Sequence, residues 1–262
     1  MIWPLGVAAG AAGAALARSR AVRATYAVVA IVLAVALLPA LRPAPPAADG
    51  PRLRVYAKNL LASNGDTAGL ADDILAADVD VALLQEVSDR NRTVLMRLRR
   101  AMPHQHLCRF SSWSAIAIAS RHPFDGPASC SVHRAVAAAP LRLPAGRVWV
   151  ASVHLPWPWP LDSAANDAAA LELLARIAAD GRPIVLGGDF NVLPWSPRFQ
   201  RIARLTGTRP AGPPRCTYRA AGLPLPIDAV LAPGGGRTSV RPHLGSDHLG
   251  LVATVALADG PA

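Results

Sequence analysis

A mixed α/β sandwich is the fold this sequence predicts, and two observations carry the prediction. Over residues 53–101, apolar runs of strand length alternate with stretches of helical period, as in strand–helix–strand units. Over residues 106–154 the pattern changes to consecutive strand-like runs divided by turns containing Pro or Gly. A third observation bears on function: acids, amides and histidines recur at the ends of these runs. Strand ends on one edge of a sheet are where an α/β scaffold gathers side chains from distant parts of a chain.

Residues 24–41 are an uncharged apolar run about as long as the hydrocarbon core of a bilayer is thick. Arg18, Arg20 and Arg23 precede it, so the positive-inside rule directs everything after it to the extracytoplasmic face. Residues 2–17 are apolar as well, but short and rich in Ala and Gly. As a second span they would leave the later chain on the same face. A cleaved signal peptide is the alternative, and the length of the run together with the long N-terminal extension favours a retained anchor. Residues 1–50 are thus expected to be a membrane anchor closed by a Pro/Ala linker, and residues 51–262 the folded domain.

Within that domain a strand at 53–59 ends in Asn59, and a helix follows at 66–77 with Asp66 or Thr67 as its N-cap. A short strand at 79–84 runs into Gln85–Glu86–Val87, and an amphipathic helix occupies 89–101. The runs 106–110, 114–120, 129–138 and 147–154 read as strands. The clearest helix is 163–179, with Ser163 as cap and Gly181 as stop. A strand at 184–186 comes next and breaks at Gly187–Gly188. Beyond it lie a helix at 196–205, a Pro/Gly-rich loop, and strands at 227–231 and 249–255.

The net charge of +10 suits an anionic substrate such as nucleic acid, phospholipid or pyrophosphate. The basic residues are dispersed, with no run of the kind that marks a nucleic-acid-binding tail. All of them but one are Arg; Lys58 is the only Lys. Cys108, Cys130 and Cys216 lack the C-x-x-C spacing of metal sites and read first as small buried apolar residues. In an extracytoplasmic domain, Cys108 and Cys130 could pair.

The stretch PIVLGGDFNVLPWSP, residues 183–197, brings Asp189 and Asn191 just past a buried strand. A carboxylate and a carboxamide in that place can hold a hard cation and a phosphoryl oxygen together. Asn59, Glu86, His154, Asp228 and the Asp247–His248 pair stand at comparable strand ends. Asp228 is the hardest to read as a surface residue, because IDAVL sets one acid inside an apolar strand and a buried acid needs a partner or a metal.

This set resembles the endonuclease/exonuclease/phosphatase superfamily of metal-dependent phosphoesterases, and within it a membrane-anchored bacterial branch. The motifs follow the family's order through KN (Asn59), LLQEV (Glu86), VHL (His154), GGDFN (Asp189, Asn191), IDAVL (Asp228) and GSDHLGL (Ser246, Asp247, His248). The resemblance implies a DNase I-like four-layer α/β/β/α sandwich with the site at one end of the paired sheets. It also implies Glu86 as the principal Mg²⁺ ligand, aided by Asn59 and Asp247, with Mn²⁺ able to substitute. Asp189 would orient or deprotonate the attacking water. Asn191 and His154 would hold non-bridging oxygens, and Asp228 would pair with His248 for acid–base chemistry or phosphate binding.

Trp157, Trp159 and Trp195 cluster near the expected mouth of the site as substrate contacts, and Trp113 could join them. Stacking on bases and settling at the headgroup level of a bilayer are both within the reach of such residues. Tethering to the outer face favours a lipid-linked phosphate over nucleic acid, for an enzyme expected to be a monomer. An anchored or secreted nuclease is the alternative, and an inactive binding module of the same fold is a second.

Overall fold

The structure, a computed structural model, describes residues 19–41, 50–111, 114–133, 135–158 and 163–258, with the side chains of the first segment described as far as Ile31. Helix α1 (Arg20–Leu41) precedes the domain. Strand β1 (Arg52–Asn59), helix α2 (Thr67–Ala76) and strand β2 (Val81–Val87) make a parallel β–α–β unit. Helix α3 (Thr93–Leu98) leads to strands β3 (His104–Arg109) and β4 (Ala115–Ser120). Then come β5 (Ser129–Cys130), β6 (Val136–Leu143) and β7 (Gly146–His154). Helix α4 (Ala164–Ala178) crosses to β8 (Ile184–Asp189), which pairs parallel with β7. Helix α5 (Pro197–Leu205), β9 (Arg209–Pro210), the hairpin β10 (Tyr218–Ala220) and β11 (Leu223–Leu225), β12 (Asp228–Ala232), β13 (Gly236–Arg241) and β14 (Gly250–Ala256) complete the chain.

Two six-stranded sheets result, ordered β13-β14-β1-β2-β4-β3 and β5-β6-β7-β8-β12-β9. Their layering follows from side-chain alternation. Leu53, Val55 and Ala57 of β1 turn inward with Val81 and Leu83 against Val148, Val150, Val185 and Val230 of the other sheet. Tyr56, Ala82 and Leu84 face outward onto Leu70 and Ile74 of α2 and Leu95 and Leu98 of α3. On the far side, Ala151, Val153 and Leu186 pack under Leu173, Leu174 and Ile177 of α4 and Phe199 and Ile202 of α5. This is the expected α/β/β/α order of layers.

Several local readings change. Strand β8 does not break at Gly187–Gly188; it runs through both glycines to Asp189. A Cβ on Gly187 would stand 2.8 Å from Leu83 Cδ1, so these glycines let the two sheets approach closely. The run 129–138 is two strands, β5 and β6, paired with one another. The helix expected at 89–101 is shorter, because residues 88–92 form a turn closed by Asn91 Oδ1, which accepts from the Ser88 amide at 2.9 Å. Asp66 caps α2 by accepting from Gly69 N at 2.9 Å, whereas Ser163 makes no capping hydrogen bond. The loop expected after 205 contains the β10–β11 hairpin, and β13 adds an edge strand to the first sheet.

No helix among the described residues is long and apolar enough to cross a membrane. The expected span at 2–17, the linker at 42–49 and the side chains of residues 32–41 lie outside what is described. In the described part of α1, Val22, Tyr26, Val28, Val29 and Ile31 are all exposed.

Cys108 and Cys130 form a disulfide, which ties edge strand β3 of one sheet to edge strand β5 of the other. A cross-link over 22 residues removes enough denatured-state freedom to stabilise the fold by about 3 kcal/mol. The Cys108→Ala/Cys130→Ala double variant should show a loss of that order in urea denaturation, and an unchanged midpoint would mean that the bond adds nothing to the fold.

Candidate active site

Topology puts the expected residues at one end of both sheets. Asn59 is the last residue of β1 and His154 and Asp189 are the last of β7 and β8, while Glu86 is next to last in β2. Strands β12 and β14 run antiparallel to β8 and β1, so their beginnings lie at that same end. Asp228 opens β12 directly opposite Asp189, and His248 stands two residues before β14. His154 also pairs in register with Asp189.

Two of these positions rely on unusual backbone. Glu86 has φ +55 and sits in a bulge where the pairing of β2 with β4 slips between Leu84 and Val87. A bulge re-aims side chains, and here the Glu86 carboxylate reaches the Asn59 amide (2.9 Å) and Ala62 N (2.9 Å). Asn191 has φ +50, a conformation that Asn tolerates better than most residues, and its backbone N–H donates to Asp189 Oδ1 at 2.9 Å.

The centre is compact. Asn59 Nδ2 donates to both Glu86 Oε1 (2.9 Å) and Asp189 Oδ2 (3.1 Å). His154 Nε2 lies 3.8 Å from each of the same two oxygens, and His248 Nε2 lies 3.7 Å from Asp189 Oδ2. The other ring nitrogen of His248 bonds Asp228 Oδ2 at 2.8 Å, an oxygen that also accepts from the Thr217 hydroxyl. Ser246 ties the segment down by donating to Asn59 O (2.7 Å) and accepting from His248 N (3.0 Å).

Burial and crowding set the protonation states. Desolvation and the Asp228 charge push the Asp189 carboxyl up to about 8, against the pull of His248, Asn191 N–H and Asn59. Burial raises the Glu86 carboxyl too, but His154, the Asn59 amide, Ala62 N–H and His248 outweigh it and leave Glu86 below its ordinary value. Burial alone would lower His248; the charge and hydrogen bond of Asp228, with the charges of Asp189 and Asp247, raise it to about 9. The imidazole is therefore cationic at neutral pH.

Not every expected residue joins the cluster. Asp247 is exposed at the rim, and although its charge acts on His248 it is hydrogen-bonded to none of the others among the described residues. Asn191 Nδ2 donates to Leu155 O at 2.8 Å, which leaves one amide hydrogen for a ligand. Trp157 is at the mouth and 39% exposed, and Trp195 is half-buried nearby. Trp113 and Trp159 lie outside the described residues.

Three further residues belong to the site. Thr217 fixes Asp228, and the Tyr218 ring stacks on His248 with centroids 4.6 Å apart. Neither announces itself in a loop read as Pro/Gly-rich. Lys58 is wholly buried beneath the centre, where Nζ donates to His248 O (2.7 Å) and Pro242 O (3.0 Å). A signal for it exists in the chain, since the only Lys of an Arg-rich sequence directly precedes Asn59. Lys58→Met would leave two buried carbonyls without this donor, and a loss of about 2 kcal/mol is expected in denaturant titration. An undiminished midpoint would show that Lys58 does not hold this segment.

The donor set fits a hard divalent cation. Glu86 is half-buried beside the Asn59 amide and held below its ordinary value, so it offers an ionised carboxylate, and the buried acids Asp189 and Asp228 lie close by, Asp228 Oδ1 accepting no hydrogen bond among the described residues. Asn59 could contribute its Oδ1, which now accepts from Leu61 N (3.0 Å).

The profile of the Endonuclease/Exonuclease/phosphatase family matches residues 55–248, which takes in every residue of this centre. The chain belongs to the endonuclease/exonuclease/phosphatase family. Members of the family are phosphoesterases and nucleases that depend on divalent metal, and the acidic and histidine groups gathered here make a candidate site for one. No curated protein matches the chain in sequence. Among solved structures, an endonuclease/exonuclease/phosphatase from Beutenbergia cavernae is similar with a TM-score of 0.64 and 20% identity, over 80% of this chain and 73% of that one. Truncated Caenorhabditis elegans TDP2 is similar at 0.59 and 15%, over 78% and 97% of the two chains. A beta toxin from Staphylococcus aureus is similar at 0.56 and 14%, over 78% and 100%. At these identities the likeness is one of fold.

Proposed function

We propose that the chain is a Mg²⁺-dependent phosphoesterase, with Mn²⁺ able to substitute, that cleaves a lipid-linked phosphodiester or pyrophosphate at the extracytoplasmic face of the cell membrane. The observation that carries the hydrolytic reading is the meeting of Asp189 with the Asp228–His248 pair beside Glu86 and Asn59. Glu86, Asn59 and Asp247 are the residues assigned to the cation, which when bound supplies positive charge against that developing on the phosphoryl oxygens.

In this reading Asp189, which ionises once positive charge is held beside it, orients the attacking water and takes its proton as the new phosphorus–oxygen bond forms. Its hydrogen bonds from Asn191 N–H and Asn59 hold the carboxylate in one orientation. His248, kept cationic by Asp228, faces the phosphate and offers a proton to the departing oxygen as the ester bond breaks. His154 and the second amide hydrogen of Asn191 bind non-bridging oxygens and stabilise their growing charge.

The setting rests on other features. The apolar side chains of α1 are exposed along its described part, as a membrane anchor requires, and a disulfide suits an oxidising compartment. Residues 1–50 act as anchor and linker, residues 51–262 as the enzyme, and the working unit is a monomer.

The test sets a phosphodiester, a lipid pyrophosphate, a phospholipid and DNA side by side with the full chain and Mg²⁺ or Mn²⁺. Turnover of the lipid phosphates that disappears with chelator is expected. Preference for DNA would overturn the substrate class, and no turnover of any of them would overturn the enzyme. Alkaline phosphatase fused after residue 50 should be active in the periplasm; an inactive fusion reverses the topology.

A further inference from the structure

Beside the phosphate centre lies a cavity of about 340 Å³, lined by Trp157, Leu193, Trp195, Leu225 and Ile227, with Asn191 at the boundary. No charged side chain among the described residues lines it. Its volume is at the lower end of small-molecule sites, which run from roughly 300 to 1,000 Å³. Two links join it to the chemistry. Asn191, whose backbone N–H fixes Asp189, is also part of its wall. Leu225 is the direct cross-strand partner of Tyr218, whose ring stacks on His248 and meets the edge of Trp157 at 6.5 Å. A substituent on a phosphate held at Asp189 and His248 thus finds the cavity next to it.

We infer that this cavity is a subsite for the first few carbons of an aliphatic alcohol esterified to the scissile phosphate. The inference rests on the phosphoester reading above and narrows its substrate to one with an aliphatic chain directly on the phosphate. The two indole rings could also stack a nucleobase, but a base brings polar edges that need partners. The wall offers few partners for them: the Ser196 hydroxyl accepts from Phe199 N at 3.3 Å, one Asn191 amide hydrogen goes to Leu155 O, and the other is given to the phosphate in the reading above. Burying unpaired donors and acceptors there would disfavour a base, whereas methylenes lose nothing.

Alkylphosphonates from methyl to octyl, whose carbon–phosphorus bond resists hydrolysis, test the subsite without turnover. Binding to the full chain in nanodiscs with Mg²⁺ is read by calorimetry. Affinity should rise by about fourfold per methylene over the first carbons, the gain expected for full burial, and then level off. Leu225→Arg, which sets a charge in the wall, should flatten the series. Equal affinity for methyl and octyl, or tighter binding of a nucleoside 5′-monophosphate than of octylphosphonate, overturns the inference. Because the wild-type series is itself decisive, a variant that fails to fold does not spare the proposal. A graded series without ester hydrolysis keeps the subsite and removes the hydrolase; hydrolysis without a graded series does the reverse.

Discussion

Asp189→Asn is expected to lower kcat by about 10³-fold and, at alkaline pH, to make the protein more stable. The first effect follows from the role proposed for the Asp189 carboxylate, held by Asn59 and Asn191 near His248, in taking a proton from water. The second follows from crowding. Asp189 is 1% exposed and stands opposite Asp228, so its ionised form is disfavoured and its pKa is pushed up to about 8, from an ordinary value of 3.8. A carboxyl raised in the fold contributes stability that is complete below its unfolded value and is lost as pH rises through the folded one. Wild type therefore loses this contribution between about pH 4 and pH 8, and the amide does not.

The gain from Asn should be about 2 kcal/mol at pH 8.5, reduced by the awkward meeting of two amide groups at Asn59, and absent at pH 4. Thermal melts with chelator at both pH values, set beside turnover with Mg²⁺, check the two halves separately. A variant equally stabilised at both pH values would show that charge at Asp189 is not the cause. An active variant would remove Asp189 from the chemistry.

Gly188→Ala should prevent the domain from folding, or cost at least about 4 kcal/mol. Gly188 has φ +142, which side chains rarely adopt, and a Cβ there would stand 2.1 Å from Val153 O and 2.7 Å from Gln85 Nε2. Val153 is its register partner in β7, so the clash lies with backbone inside the central pairing and cannot be relieved by a side-chain rotation. Gly187→Ala meets a movable Leu83 methyl and should cost only about 1–2 kcal/mol. Soluble yield and urea midpoints compare the pair. Equal, small losses at both positions would mean that the sheets can shift to accept a side chain.

Much of the domain is legible in its amino-acid sequence. Apolar runs of strand length predict most strands of both sheets, and helical stretches predict α2, α4 and α5, because these elements bury enough apolar surface to mark their own pattern. The short pieces are not legible: β9, β10 and β11 have two or three residues each, too few for a period to show. The site divides in the same way. Asn59, Glu86, His154, Asp189, Asp228 and His248 stand out because a polar group at the end of an apolar run breaks a pattern. Thr217 and Tyr218 break none in a loop of small and polar residues, and their place is due to a hairpin folding over His248.

The glycines before Asp189 show where primary structure stops. Local rules read Gly187–Gly188 as the end of a strand, since Gly is an ordinary turn residue. Packing makes them the middle of one, since β1, β2 and β7 come too close for a side chain. The chain alone specifies which polar residues end its apolar runs and the order in which they occur, because composition and period are local properties. Their distances, the raised Asp189 and His248, the buried Lys58 under the centre and the apolar cavity beside it arise only when two sheets meet. Each depends on neighbours far apart in the chain, and burial by such neighbours is what shifts a charge or leaves a cavity.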